Sequence, residues 1–172
     1  MRSRTAKPSK PESEVRAYCI PSSWGEWRVS FSDLGLRTFQ LPTSHKASKL
    51  EKLNGQEGPA GKAVHKALIA RLAGKSDELP WDLYDLSGLP VFHIKIWRAM
   101  AQIPYGEVRS YKAMAEAAGS PAAFRAAGQA CGANPIVLFI PCHRVVASNH
   151  LGGFGSGLSW KKKLLNLEGY AC

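Results

Sequence analysis

Five apolar residues in a row, Ile136-Val137-Leu138-Phe139-Ile140, lead directly into Pro141-Cys142-His143-Arg144-Val145-Val146. The run is too short to form a helix of its own, so it is buried whatever backbone it adopts. It delivers a thiol, an imidazole and a guanidinium to one place. A glycine-dense loop follows, Gly152-Gly153-Phe154-Gly155-Ser156-Gly157. Glycines spaced so closely let backbone amides approach a ligand.

The rest of the second half is cut into short helices. Phe92 to Ile103 has Phe92, Ile96, Trp97 and Met100 at apolar helical spacing, and Pro104-Tyr105-Gly106 ends it. Ser110 is placed to cap a helix over 111–118, which Gly119 stops. Ser120-Pro121 looks like a second start, a cap followed by proline at the first helical position, for a helix from 121 to about 131. Two short helices around a tight glycine-containing turn are a helix-turn-helix pattern. Leu158 to Glu168 closes the chain as an amphipathic helix.

The first half alternates instead. Ala17-Tyr18-Cys19-Ile20 is placed to begin a strand, Trp27 to Phe31 has period two, and Leu36 to Leu41 alternates loosely. Ser32-Asp33-Leu34-Gly35 turns between the last two. Pro59 to Leu72 is helical, with Val64, Leu68, Ile69 and Leu72 assigned to one side and Gly74 as its stop. The expected fold is α/β (α+β). A loose basic tail over 1–14 precedes a small N-terminal mixed or antiparallel sheet with a helix (15–80). A connector (81–91) leads to a mostly helical domain with the helix-turn-helix (92–172).

Charge narrows the partners. The formal net charge is +10 over 172 residues. Residues 88–172 hold nine Lys/Arg against three Asp/Glu, so the excess is denser toward the C-terminus. Such a field favours a polyanion, nucleic acid or an acidic membrane surface. No apolar run approaches the roughly 18 residues that span a bilayer, and the N-terminus lacks the apolar stretch of a signal peptide. The four cysteines include no CxxC pair, which argues against a zinc knuckle. A reducing, cytoplasmic setting is the expectation.

The second helix of the pair, PAAFRAAGQAC, is nearly all Ala and Gly, with Arg125 and Gln129 its long polar side chains. A helix that reads base edges usually carries several such groups. Small residues suit close, shape-based binding, or else tight packing against a neighbouring helix. Lys161, Lys162 and Lys163 are expected to face solvent or phosphates.

A free cysteine, with a pKa of about 8.5, is only slightly ionised at neutral pH. A histidine accepts its proton directly or through water, and a carboxylate behind the histidine fixes the tautomer. Cys142, His143 and Glu168 supply these groups, with Arg144 as a further source of positive potential. The residues alone leave three alternatives: an inert buried cysteine, a cysteine hydrolase, or a DNA-binding regulator. A hydrolase gives no reason for Arg125, and a regulator needs base-reading side chains that residues 121–131 lack.

The order of motifs resembles one family, the methylated-DNA–protein-cysteine methyltransferases or O6-alkylguanine-DNA alkyltransferases. Ile140 to Val146 carries the signature, joined by Ile103-Pro104-Tyr105-Gly106-Glu107-Val108, Ser110-Tyr111 and Gly132-Ala133-Asn134-Pro135. Gly155-Ser156-Gly157-Leu158, Lys161, Leu164-Leu165 and Glu168-Gly169 complete it. The resemblance covers roughly residues 88–170.

The resemblance implies DNA repair by stoichiometric transfer of an alkyl group from O6-alkylguanine in duplex DNA to Cys142. O4-methylthymine is a further candidate substrate, and the preference between methyl and bulkier groups stays open. His143 is the implied base, oriented by Glu168. Tyr111 assists base flipping and donates near O6, Arg125 fills the gap in the stack, and Asn134 is a hinge. Ser110, Gln129, Arg144 and Lys161 are the other implied DNA contacts. Cys131, Val145, Gly153, Phe154, Gly155 and Ser156 are the implied pocket, with backbone carbonyls of Cys142 and Val145 receiving the guanine amino group. No cofactor, obligate protein partner or membrane is implied, and a monomer is expected. Some relatives hold a zinc ion in the first domain. Here Cys19, His45 and His65 show no ligand spacing, so no metal is expected.

Overall fold

The computed structural model describes residues 14–42, 49–53 and 58–172. His45 and all of the tail before Glu14 lie outside the described residues. Strands β1 (Arg16–Ser22), β2 (Gly25–Ser32) and β3 (Gly35–Gln40) form an antiparallel meander. The short β4 (Glu51–Lys52), which the sequence pattern did not reveal, adds in parallel to β1 and gives the order β3-β2-β1-β4. Alternation sends Trp27, Val29 and Phe31 of β2 into the core, and Leu36 and Phe39 of β3, three residues apart, join them where the β2–β3 register shifts at Ser30/Phe31.

Helix α1 (Gly58–Leu72) buries Val64, Ala67, Leu68 and Arg71, whereas Ile69 is 58% exposed. This corrects the apolar face expected from sequence. At 3.6 residues per turn, position 71 falls within about 20° of Val64, while position 69 points well away from it. The inward stripe therefore requires an arginine, a matter that returns at the reactive centre.

The connector is held against the sheet. A 3₁₀ turn (Trp81–Leu83) leads to Asp85, whose N–H donates to Leu36 O at 2.9 Å. The Asp85 carboxylate accepts from the hydroxyls of Ser32 and Ser87, each at 2.6 Å. Helices α2 (Val91–Ala101), α3 (Tyr111–Ala117) and α4 (Phe124–Gly132) then pack together, and Trp97 Nε1 donates to Ala130 O at 2.7 Å. Ser110 caps α3 by accepting from Ala113 N–H at 3.1 Å. The start expected at Ser120-Pro121 is displaced. Ala123 N–H donates to Ser120 O at 2.8 Å, so these residues form a turn, and α4 begins at Phe124. Proline at the second position of a turn is as well suited as proline opening a helix.

Four residues of the apolar run are buried, and Val137 is half-buried. Val137 N–H donates to Phe39 O and Phe39 N–H to Pro135 O, both at 2.9 Å. Its first residues thus extend the sheet beyond β3. The chain then reverses, with Ile140 N–H bonded to Ile136 O at 3.0 Å and Leu138 at φ 83°. Cys142–Arg144 follows as a 3₁₀ turn. The two-residue strands β5 (Arg109–Ser110) and β6 (Val145–Val146) pair in parallel, and α5 (Leu158–Leu167) closes the chain. Buried residues of both halves join one hydrophobic cluster, with Phe39 and Phe139 rings edge to face at 4.7 Å.

Candidate active site

The reversal at Leu138 fixes where Cys142 stands. Asn134 spans its base: Nδ2 donates to Ile140 O at 2.7 Å and Oδ1 accepts from Ile136 N–H at 3.0 Å. Both halves of one amide therefore hold the two arms of the turn. Cys142 N–H then donates to Ile140 O at 2.9 Å. Cys142, 8% exposed, lines a cleft of about 690 Å³. Tyr111, Cys131, Asn134 and residues Gly153 to Ser156 also line it. Its opposite wall comes from Arg28, Thr38 and Gln40 of the first-half sheet. The sequence reading did not include these three, although they occupy the polar positions of alternating strands. Val145 is fully buried and does not line the cleft.

His143 is fully enclosed, and its Nε2 lies 2.8 Å from Glu168 Oε1. Burial alone would raise the Glu168 pKa. Hydrogen bonds from His143 and Arg144 and their positive potential instead hold it at about 2. The carboxylate is thus ionised, so Nε2 carries the proton and donates it. The other nitrogen, Nδ1, has no hydrogen-bond partner among the described residues and keeps its lone pair. Burial lowers the His143 pKa, which favours this neutral form.

Arg144 is not at the surface. It is buried, with Nε and Nη2 forming a two-point contact to Glu168 at 2.8 and 2.9 Å, while Nη1 donates to Ile103 O. Gly106 N–H donates to Glu168 Oε2 at 3.3 Å, and Tyr105 OH donates to Leu167 O at 3.0 Å. The Pro104-Tyr105-Gly106 motif is therefore the floor of the carboxylate site. Arg71 reaches the same carboxylate, Nη1 to Oε1 at 3.5 Å.

Lys161 also departs from expectation. Its side chain is buried, and Nζ donates to Val145 O at 2.6 Å and Gly153 O at 3.2 Å. The amphipathic pattern of α5 placed Lys161 beside Lys162 and Lys163, but only those two are exposed. Tyr111 OH donates to Gly153 O at 3.3 Å. Arg125 and Gln129 lie exposed on α4, with the Arg125 guanidinium 5.7 Å from the centre of the Phe124 ring. Cys131 is buried with Sγ 3.4 Å from Met100 Sδ, and burial together with Cys142 pushes its thiol up to about 12. It is a pocket wall and no nucleophile at neutral pH. Burial also raises the Cys142 pKa, opposed by Asn134 and Lys161.

Among the described residues no group of three or more His, Cys, Asp or Glu could hold a metal ion. No helix among them is long and apolar enough to cross a membrane.

Residues 91–170 match the family described as 6-O-methylguanine DNA methyltransferase, DNA binding domain. The methylated-DNA–protein-cysteine methyltransferase of Mycobacterium leprae is 46% identical over 114 residues, 66% of this chain and 67% of that protein. The probable methylated-DNA–protein-cysteine methyltransferase of Acanthamoeba polyphaga mimivirus is 49% identical over 84 residues. That match takes in 49% of this chain and spans only 56% of the viral protein's length. The crystal structure of Mycobacterium tuberculosis OGT in complex with DNA superposes with a TM-score of 0.74 at 32% identity, covering 89% of this chain and 92% of that one. The likeness thus extends through the first-half sheet as well as the signature region, and the chain belongs to the O6-alkylguanine-DNA alkyltransferase, or methylated-DNA–protein-cysteine methyltransferase, family.

Proposed function

We propose that this protein repairs DNA directly, moving the alkyl group of O6-alkylguanine in duplex DNA onto Cys142. The observation that carries this reading is the position of Cys142: it lines the cleft, and the adjoining His143 is held by an ionised Glu168 with Nδ1 free to accept a proton. His143 takes the thiol proton, directly or through a water. The thiolate then attacks the alkyl carbon, a C–S bond forms and the C–O6 bond breaks. Its electron pair leaves with guanine, which takes a proton from the Tyr111 hydroxyl; solvent restores that proton.

The target oxygen lies inside the duplex, so the base must first rotate out, at a cost of a few kcal/mol. Arg125, the long cation exposed on α4, occupies the vacated space. Ser110 and Gln129 support contacts to the strand, and Asn134 keeps α4 in register with the cysteine turn. Cys131 and the 153–156 loop bound the alkyl group. The thioether product is not reversed by water, so one molecule repairs one lesion. Function as a monomer in a reducing cytoplasm with access to the chromosome fits a chemistry that needs a free thiol.

Incubation with duplex DNA containing O6-methylguanine, followed by peptide mass mapping, tests the reading. One methyl group is expected on Cys142 and none on Cys19, Cys131 or Cys172. Folded protein that acquires no methyl group at Cys142 would overturn it, and catalytic turnover would point to a hydrolase.

A further inference from the structure

Three basic side chains converge on the single carboxylate of Glu168. His143 and Arg144 come from the signature itself, within the region that matches the family. The third, Arg71, comes from α1, outside that region. It is 1% exposed, although α1 exposes an isoleucine two residues earlier. Its Nε donates to Asp77 O at 3.0 Å, and its guanidinium lies 5.4 Å from the centre of the Tyr105 ring. The Arg144 guanidinium lies 5.7 Å from the same ring. Among the described residues Nη1 has no hydrogen-bond partner, yet it stands 3.5 Å from Glu168 Oε1. That separation permits ion pairing without a directional bond, so Arg71 bears on Glu168 mainly as a charge.

We infer that Arg71 is a positioning residue of the reactive centre, acting through Glu168 to keep His143 in its proton-accepting form. Glu168 carries one negative charge, and Arg71 and Arg144 carry two positive ones. A proton on His143 would add a third positive charge to a buried cluster. The groups facing His143 are Glu168 at the end of α5, Arg144 beside it and Arg71 from α1, with Tyr105 bordering the carboxylate. Among them Glu168 favours imidazolium, while both arginines oppose it, as burial does more strongly. Arg144 is also bonded to Ile103 O and is needed to build the site. Arg71 adds its charge from outside. The first-half helix thereby contributes to the state of the histidine that receives the thiol proton.

The inference rests on His143 serving as the base for Cys142, and its test separates the two ideas. His143 is titrated by NMR in DNA-free protein, and the pH dependence of alkyl transfer is measured on O6-methylguanine duplex. In Arg71→Gln, which keeps a donor for Asp77 O, the His143 titration and the acid limb of the rate both move up by about one pH unit. On the acid limb the rate falls up to about tenfold. Arg71→Met shows the same shift, and Arg71→Lys restores wild-type behaviour. A His143 titration unchanged in Arg71→Gln and Arg71→Met overturns the inference, as does an equal shift in Arg71→Lys. A shifted titration with an unmoved rate profile instead overturns His143 as the base.

Discussion

The Lys161 ammonium stands 2.6 Å from the Val145 carbonyl oxygen, with its side chain buried. Its second contact, Gly153 O, belongs to the glycine loop, so one side chain ties the strand after Cys142 to the loop that lines the cleft. Among the described residues it has no carboxylate partner, and its positive charge opposes the burial that raises the Cys142 thiol. Lys161→Met is therefore expected to raise the Cys142 pKa further and to slow alkyl transfer at neutral pH by about tenfold or more. Iodoacetamide labelling of Cys142 across pH reads the first effect directly. An unchanged labelling profile would limit Lys161 to a structural role.

Gly152 is set against Tyr111. It has φ 72°, and a Cβ there would lie 2.8 Å from Tyr111 Cε2 and 2.9 Å from its hydroxyl. Left-handed backbone costs a non-glycine residue about 1–2 kcal/mol. The contact must also be relieved by moving the Tyr111 ring. Gly152→Ala is expected to lower stability by about that amount and to reduce repair much more than labelling of Cys142 by a small alkylating agent. Equal losses in the two assays would count against Tyr111 as the group that admits the base.

Much of this architecture was legible in the sequence because its signals were local. Alternation gave β2 and β3, Ser110 and Gly119 bracketed α3, and the signature residues brought Cys142, His143 and Glu168 together. The errors share a cause. Lys161 and Arg71 are cations at inward helical positions, and only the tertiary partners that neutralise their burial explain them: carbonyls for one, Glu168 for the other. Arg144, one of the DNA contacts that the resemblance implies, is buried against a carboxylate that lies 24 residues away in the chain. Ser120-Pro121 fits both a turn and a helix start, and nothing local decides between them. The cleft wall of Arg28, Thr38 and Gln40 exists only once the two halves pack.

Leu138 has φ 83°, yet it is 1% exposed. Glycine would relieve about 1–2 kcal/mol of backbone cost. Losing a buried leucine side chain costs about 2–5 kcal/mol. Burial should win, so Leu138→Gly is expected to destabilise the fold by about 1–3 kcal/mol in urea denaturation. A more stable variant would show that conformational strain dominates at this turn.

Arg125 is exposed and makes no ion pair among the described residues. If it fills the gap left by the extruded base, it matters only when a stack has been opened. Arg125→Ala should slow repair of duplex O6-methylguanine by about tenfold or more, since unstacking costs a few kcal/mol. Reaction with free O6-alkylguanine should be nearly unchanged. Comparable losses on both substrates would remove base flipping from its role.

Stability should fall with acid in two stages. Burial places the His143 pKa below its ordinary 6.5, so below that pH the unfolded chain binds a proton the folded chain refuses. Glu168 drops from 4.5 to about 2, so its contribution is full above 4.5 and is lost as pH falls toward 2. In both cases the unfolded state binds more protons, and stability therefore rises with pH. The Glu168 stage amounts to about 3 kcal/mol. Urea midpoints measured from pH 8 to 3 should hold steady at first, decline below about 6.5 and steepen below about 4.5. His143→Gln, which keeps a donor for Glu168 but removes the imidazolium charge, should flatten the upper decline and weaken the lower one. A wild-type midpoint that stays constant between pH 7 and 5 would show that His143 takes up a proton in the folded protein as readily as in the unfolded chain, contrary to the neutral, proton-accepting histidine on which the reactive centre depends.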